Sequence, residues 1–141
     1  MHVRVGGTIL GQVDDIIAEG AGGFGIGTVD TITPVAGGLS HDMWRVSTAH
    51  GDFAVKVMRA HAESAGFREN IEAAFAIEQN AFRAGVPCPE PIATAEDRAL
   101  LRARGALLRA HRWHDGEVPC PSEHLEGAGE LLASIHAAGT E

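Results

Sequence analysis

Apolar residues recur along this chain with two different periods, and the switches between them mark out its elements. From Thr8 to Glu19, Ile9, Val13, Ile16 and Ile17 follow helical spacing, and the glycines from Gly20 to Gly27 predict the helix end and a flexible loop. Thr28 to Pro34 sets Val29 and Ile32 among polar neighbours, a strand pattern broken at Gly37 and Gly38. Met43–Thr48 and Phe53–Met58 predict two further strands, joined by a short turn through Ala49, His50, Gly51 and Asp52. In the last of these a period of two places Phe53, Val55 and Val57 on a core face, with Ala54, Lys56 and Met58 opposite. One lysine therefore stands inside an otherwise apolar strand.

From about Ser64 to Ala84 the helical period returns. Ile71, Phe75 and Phe82 form an apolar stripe, and the position missing from its middle is Glu78. A buried ion without a partner is strongly destabilising, so Glu78 is expected to meet a cation, and Lys56 is the candidate. Taken alone, Lys56 would read as a solvated lysine whose stem lies along the sheet; the inward carboxylate changes that reading. Glu69 and Glu72 fall nearer the polar side and read as solvated charges. Pro87, Pro89 and Pro91 then carry the chain into a fourth strand. Ala99–Leu101 and Ala106–Ala110 read as strands leading to a linker from Arg112 to Glu117. After the proline-rich segment from Glu117 to Ser122, Ser122 is the expected N-cap of a last helix striped by Leu125, Ala128, Leu132 and Ile135.

Composition narrows the function classes. With 141 residues, 45% of them hydrophobic and 21% charged, the chain fits one globular domain or part of a larger one. A net charge of −8, from 19 acidic and 11 basic side chains, argues against nucleic acid as a partner. Cys88 and Cys120 each sit beside proline without metal-type spacing, so no disulfide framework is expected and a reducing cytoplasm suits them. The N-terminus lacks an uninterrupted apolar core and no run approaches membrane-spanning length, which predicts neither export nor insertion. Gly20, Gly22 and Gly25 spell G-x-G-x-x-G, but a helix pattern precedes them and a strand follows, the reverse of a dinucleotide loop, so they read as a connector. His111 and His114 lie near Cys120, yet H-x-x-H at a strand-to-linker segment does not hold both imidazoles on one face; no metal site is expected.

The order of glycine turn, strand, strand ending in Ala54-Val55-Lys56, and helix with an inward glutamate resembles the N-terminal lobe of the protein-kinase-like fold. More narrowly it resembles the aminoglycoside phosphotransferase family. The residues that carry the resemblance are Gly37, Gly38, Leu39 and Ser40; Trp44, Arg45 and Val46; Phe53 to Lys56; Glu78; Ala84 to Pro89; His111, Arg112, Trp113, Asp115 and Gly116; and Leu132, Ala133, Ile135 and His136. The resemblance implies an α+β fold: an antiparallel five-stranded sheet with one packed helix, plus a C-terminal helix. It divides the chain into an N-terminal helix and glycine-rich connector (1–27), a nucleotide-binding lobe (28–117), and a linker with the first helix of a C-terminal lobe (118–141). It also selects the glycine loop, because Gly38 lies 18 positions before Lys56, a distance that two short strands and a turn span.

For function, the resemblance implies ATP or GTP bound between two lobes. Lys56 would hold the α- and β-phosphates, Glu78 would orient it, and backbone N–H groups from Gly37, Gly38 to Ser40 would cover the phosphates. Ala54 would lie against the base, with the linker backbone at Arg112 and Trp113 along its edge. The aspartate that receives the substrate proton and the ligands for magnesium belong to the C-terminal lobe of this fold, and after Asp115 the sequence has no aspartate and no asparagine. The expectation is therefore a truncated kinase relative or N-terminal fragment with no catalytic residue of its own, using magnesium only if a C-terminal lobe is supplied. The alternative is a non-catalytic interaction module that associates, with a partner or a second copy, through its last helix.

Overall fold

In a computed structural model, the described residues are 8–37, 41–116 and 125–139. Their elements are α1 (Thr8–Phe24), β1 (Val29–Val35), β2 (His41–Thr48), β3 (Gly51–Met58), α2 (Ala65–Arg83), β4 (Pro91–Ile92), β5 (Leu101–Ala103), β6 (Ala106–Arg112) and α3 (Leu125–Ala138). The strands form one antiparallel sheet in the order β1-β2-β3-β6-β4. Its fifth neighbour is shared: β5 pairs with β6 along Ala106–Leu108, on the edge where β4 takes up Ala110 and His111. The α+β architecture expected from the sequence is present, with the short β5 as a sixth strand.

The alternation in β3 organises both faces. Phe53, Val55 and Val57 are each 2% exposed, whereas Ala54 and Lys56 are half-buried on the other side. The core face is covered by α1, whose Val13, Ile17, Ala21 and Phe24 pack with Val46, Phe53, Val55, Val57 and Leu108. The helix expected merely to lead into a connector is thus the roof of the hydrophobic core.

Its length also departs from expectation. The glycine-rich stretch is helical as far as Phe24, because two glycines allow a close approach to the sheet: a Cβ at Gly20 would lie 2.4 Å from Leu108 Cδ1, and one at Gly23 2.5 Å from Leu101 Cδ2. The helix stops at Gly25, whose φ of 65° fits the left-handed closing turn. There Gly25 N–H donates to Gly22 O and Ile26 N–H to Ala21 O.

On the opposite side, α2 starts at Ser64, whose hydroxyl accepts from Phe67 N–H, and closes at Gly85 (φ 85°) with the same pair of hydrogen bonds, Gly85 N–H to Phe82 O and Val86 N–H to Ala81 O. Phe75 and Ala81 are its buried residues. Phe82 is 40% exposed, so the buried stripe passes through Ala81 and not Phe82. Glu72, expected to be solvated, instead accepts the N–H groups of Ala99 (2.9 Å) and Leu100 (3.0 Å) and stands 3.5 Å from Arg98. It fixes the turn before β5 to the helix; Glu69 is exposed as expected. In α3, Ile135 and Ala138 pack against Ala81, Val86 and Cys88, while Leu132 is 54% exposed. The expected cap Ser122 lies outside the described residues.

Two mutational contrasts test this packing. Gly22 is helical with nothing near its Cβ direction, so Gly22→Ala is expected to stabilise by about 0.5–1 kcal/mol, whereas Gly20→Val drives a side chain into Leu108 and is expected to cost about 1–3 kcal/mol. Thermal unfolding reads both, the first as a rise in Tm and the second as a fall. Glu72→Ala leaves two backbone N–H groups without their acceptor and is expected to cost about 1–3 kcal/mol in urea unfolding; an unchanged midpoint would show that the Glu72 contact carries no stability.

Candidate functional site

Cross-strand partners share a face of an antiparallel sheet, so register decides which side chains accompany Lys56. Lys56 is paired with Met43 on β2 and Arg109 on β6, and Ala54 with Arg45 and His111. The face that does not carry the core therefore holds Met43, Arg45, Ala54, Lys56, Arg109 and His111. With Glu78 from α2, Cys88 and Pro89 after it, and the linker from Arg112 to His114, most of these residues line a cleft of about 570 Å³.

Glu78 reaches into this cleft as expected, but its partners differ from the expected one. Its Oε1 lies 2.6 Å from Arg109 Nη2 and its Oε2 lies 2.8 Å from His111 Nε2. Both oxygens are thereby engaged from β6, and among the described residues Lys56 makes no ion pair. Arg109 and His111 stand two residues apart on one strand face and present two donors to a carboxylate that has two acceptor atoms. Burial pushes the Glu78 carboxyl up, yet the hydrogen bond from His111 and the charge of Arg109 outweigh it and hold the group below the ordinary glutamate range. The Arg109 side chain is only 10% exposed, and its Nε is buried without a hydrogen-bond partner among the described residues. The charge of Lys56 is felt at His41, whose imidazole is held below its ordinary range first by burial and then by that ammonium.

The linker is tied to the sheet by its own backbone. Arg112 N–H donates to Glu90 O and Trp113 N–H to Asp52 O, each at 2.9 Å. The Arg112 guanidinium lies 4.8 Å from the centre of the Phe53 ring, on the core side of the sheet, with Nη1 on His50 O and Nε on Glu90. Trp113 is stacked by Arg45 at 4.8 Å, and Arg45 in turn is bonded to Asp52 through Nε at 2.9 Å and Nη2 at 2.5 Å. The side chains of Arg112 and Trp113 thus have structural employment, and their amides are already paired.

Of the residues expected at the site, Ala54, Lys56, Glu78, Arg112 and Trp113 come together around the cleft. Gly37, at φ 108°, is described at the end of β1 but does not line the cleft; Gly38 and Ser40 lie outside the described residues. Sequence reasoning missed Arg109 as the partner of Glu78. The available signal was its parity: Arg109 and His111 alternate with Leu108 and Ala110 in β6 as Lys56 alternates with Val55 and Val57 in β3. Among the described residues, no cluster of three His, Cys, Asp or Glu side chains could hold a metal ion. No helix among them is long and apolar enough to cross a membrane.

Comparison with known proteins places this geometry. A family model described as the phosphotransferase enzyme family, APH, matches residues 31–141. Homoserine kinase of Polaromonas naphthalenivorans (strain CJ2) is 29% identical over 120 residues, covering 82% of this chain and 36% of that protein. Homoserine kinase of Methylobacillus flagellatus is 25% identical over 120 residues, with 83% and 36% covered. Among solved structures, spectinomycin phosphotransferase in complex with ADP and spectinomycin superimposes with a TM-score of 0.56 at 15% identity, over 79% of this chain and 34% of that one. The chain spans little more than a third of the length of the relatives it matches. With the family model covering most of its residues and the kinase-like fold behind it, the chain belongs to the APH phosphotransferase enzyme family.

Proposed function

We propose that this chain is the nucleotide-gripping lobe of a small-molecule kinase, binding ATP or GTP and carrying no catalytic residue of its own. The observation that carries the reading is the ammonium of Lys56, unpaired among the described residues, on the wall of a cleft whose neighbouring surface is the apolar Ala54 and Met43. A nucleoside polyphosphate matches both halves of that surface: a flat base for the apolar wall and an anion for the lysine. Gly37, Gly38 and Ser40 would close over the phosphates. The linker would meet the base edge through its carbonyls and through amides beyond Trp113, since those of Arg112 and Trp113 are taken. The family relative solved with ADP supports a nucleotide as the ligand class.

In this reading the chain is organised as a leading helix (1–27), the nucleotide lobe (28–117) and the start of a second lobe (118–141), and it works in the cytoplasm. The described cleft residues do not suit magnesium: their one carboxylate, Glu78, already has a cation on one oxygen and an imidazole on the other. Magnesium and the acceptor both await residues of a second lobe. Because the curated relatives are homoserine kinases, a hydroxyl of a small amino alcohol is the acceptor class we favour for the complete enzyme. A second reading, an interaction module, draws on Leu131 and Leu132, which are 37% and 54% exposed on α3.

Three measurements test these readings. Calorimetric titration with ATP and with adenosine is expected to show binding of both by the wild-type chain. Lys56→Met should lower ATP affinity about tenfold or more while changing adenosine affinity little; equal affinities for wild type and variant would overturn the assignment. Labelled phosphate transfer to a panel of amino alcohols and aminoglycosides should show no turnover by this chain alone. Sedimentation at rising concentration decides the interaction module: self-association abolished by Leu132→Glu would favour it.

A further inference from the structure

The charges around Glu78 pose a question that the nucleotide reading leaves open. In kinase-like sites the strand lysine and the helix glutamate are expected to pair, yet here the glutamate is fully engaged elsewhere. Arg109 and Lys56 are direct cross-strand partners on the same face, an arrangement of like charges that is unfavourable unless one is neutralised. Glu78 can neutralise one of them, and it takes Arg109 at 2.6 Å while His111 holds its second oxygen at 2.8 Å. The choice has a cause in burial. The Arg109 side chain is 10% exposed, so without the carboxylate its charge would be buried and uncompensated, whereas Lys56 can extend its ammonium towards the open cleft.

We propose that Arg109 is a positioning residue of the nucleotide site: by holding Glu78 against β6 it keeps the carboxylate off Lys56 and leaves the lysine's charge for phosphate. The proposal rests on the nucleotide-binding reading and deepens it, since it assigns Glu78 the opposite relation to Lys56 from the one the resemblance implies. His111 supports the arrangement by occupying the second carboxylate oxygen. Met43 from β2 and Cys88 from the segment after α2 also line the cleft, and neither brings a charge that competes for Glu78.

The experiment measures affinity for ATP and for adenosine with the full 141-residue chain, and reads their ratio, which isolates the phosphate contribution from the shape of the base pocket. Arg109→Met frees Glu78 to turn to Lys56, and the ATP-to-adenosine preference is expected to fall about tenfold. Arg109→Lys, which keeps the cation, is expected to retain most of the preference. Adding Glu78→Gln to Arg109→Met removes the competing carboxylate and is expected to restore it. A purely structural role would weaken adenosine and ATP alike and would not be rescued by the second substitution. Should Arg109→Met fail to fold, Glu78→Gln in the wild-type background decides alone: the preference is expected to hold or rise, because Arg109 then adds its charge to the cleft. A fall in that preference, as a lysine oriented by glutamate requires, overturns the proposal, and so does an unchanged ratio in Arg109→Met. Wild-type chain that binds neither ligand overturns the nucleotide reading itself, and the proposal with it.

Discussion

The carboxylate of Glu78 is the point at which the helix, the sheet and the cleft are joined. An anion entering the face of a sheet must be neutralised and hydrogen-bonded, and Arg109 and His111 provide both from one strand. Phe75 and Ala81 are the buried residues of α2, while Ile77 and Phe82 are exposed. Directional contacts hold the helix at Glu72 on the backbone before β5, at Glu78 on β6 and at Gln79 on Asp97, and Ala81 with Val86 packs it against α3. A helix held mainly by directional contacts has few alternative resting positions, so the cleft wall it forms is set by where two carboxylates find their donors.

The two faces of β3 carry different duties with one alternating pattern. The side bearing Phe53, Val55 and Val57 is dry and roofed by α1, whose glycines bring the helix axis down onto Leu101 and Leu108. That rigid layer fixes the backbone from which Ala54 and Lys56 project. At the end of the strand the linker is anchored twice, by Arg112 over Phe53 on the core side and by Arg45 against Trp113 on the cleft side. Because Trp113 N–H also bonds Asp52 O, a shift of the linker would have to break contacts on the β2–β3 hairpin. Site and core are thereby built on the same few residues.

How much of this was legible in the sequence follows from which interactions are local. The strands β1 to β3 and the two faces of β3 are encoded by periodicity and by turn residues a few positions apart, and these expectations hold. The extension of α1 through Gly20, Gly22 and Gly23 was not legible, because glycine disfavours helix locally and only the tertiary approach to Leu101 and Leu108 explains it. Glu72 and Glu78 show the same limit for charges. Helical position predicts that Glu78 points inward, but the choice between Lys56 and Arg109 depends on how deeply each cation is buried, which no spacing records. Glu72 looked solvated because its partners are backbone N–H groups, invisible in any pattern of side chains.

The charge around the cleft is opposite in sign to that of the chain as a whole. The chain as a whole carries −8, yet the cleft brings Lys56, Arg109 and His111 around a single described carboxylate, so a local excess of positive charge is enclosed by an acidic molecule. A long polyanion approaching the surface meets net repulsion over many Debye lengths of contact, while a compact anion that fits within the cleft meets mostly the local field. The division of labour among the cations sharpens this. Arg109, buried, is neutralised inside the protein; Lys56, at the cleft, is not. Had the glutamate neutralised Lys56 instead, the uncompensated charge would be that of Arg109, whose side chain is the more deeply buried of the Glu78 pair.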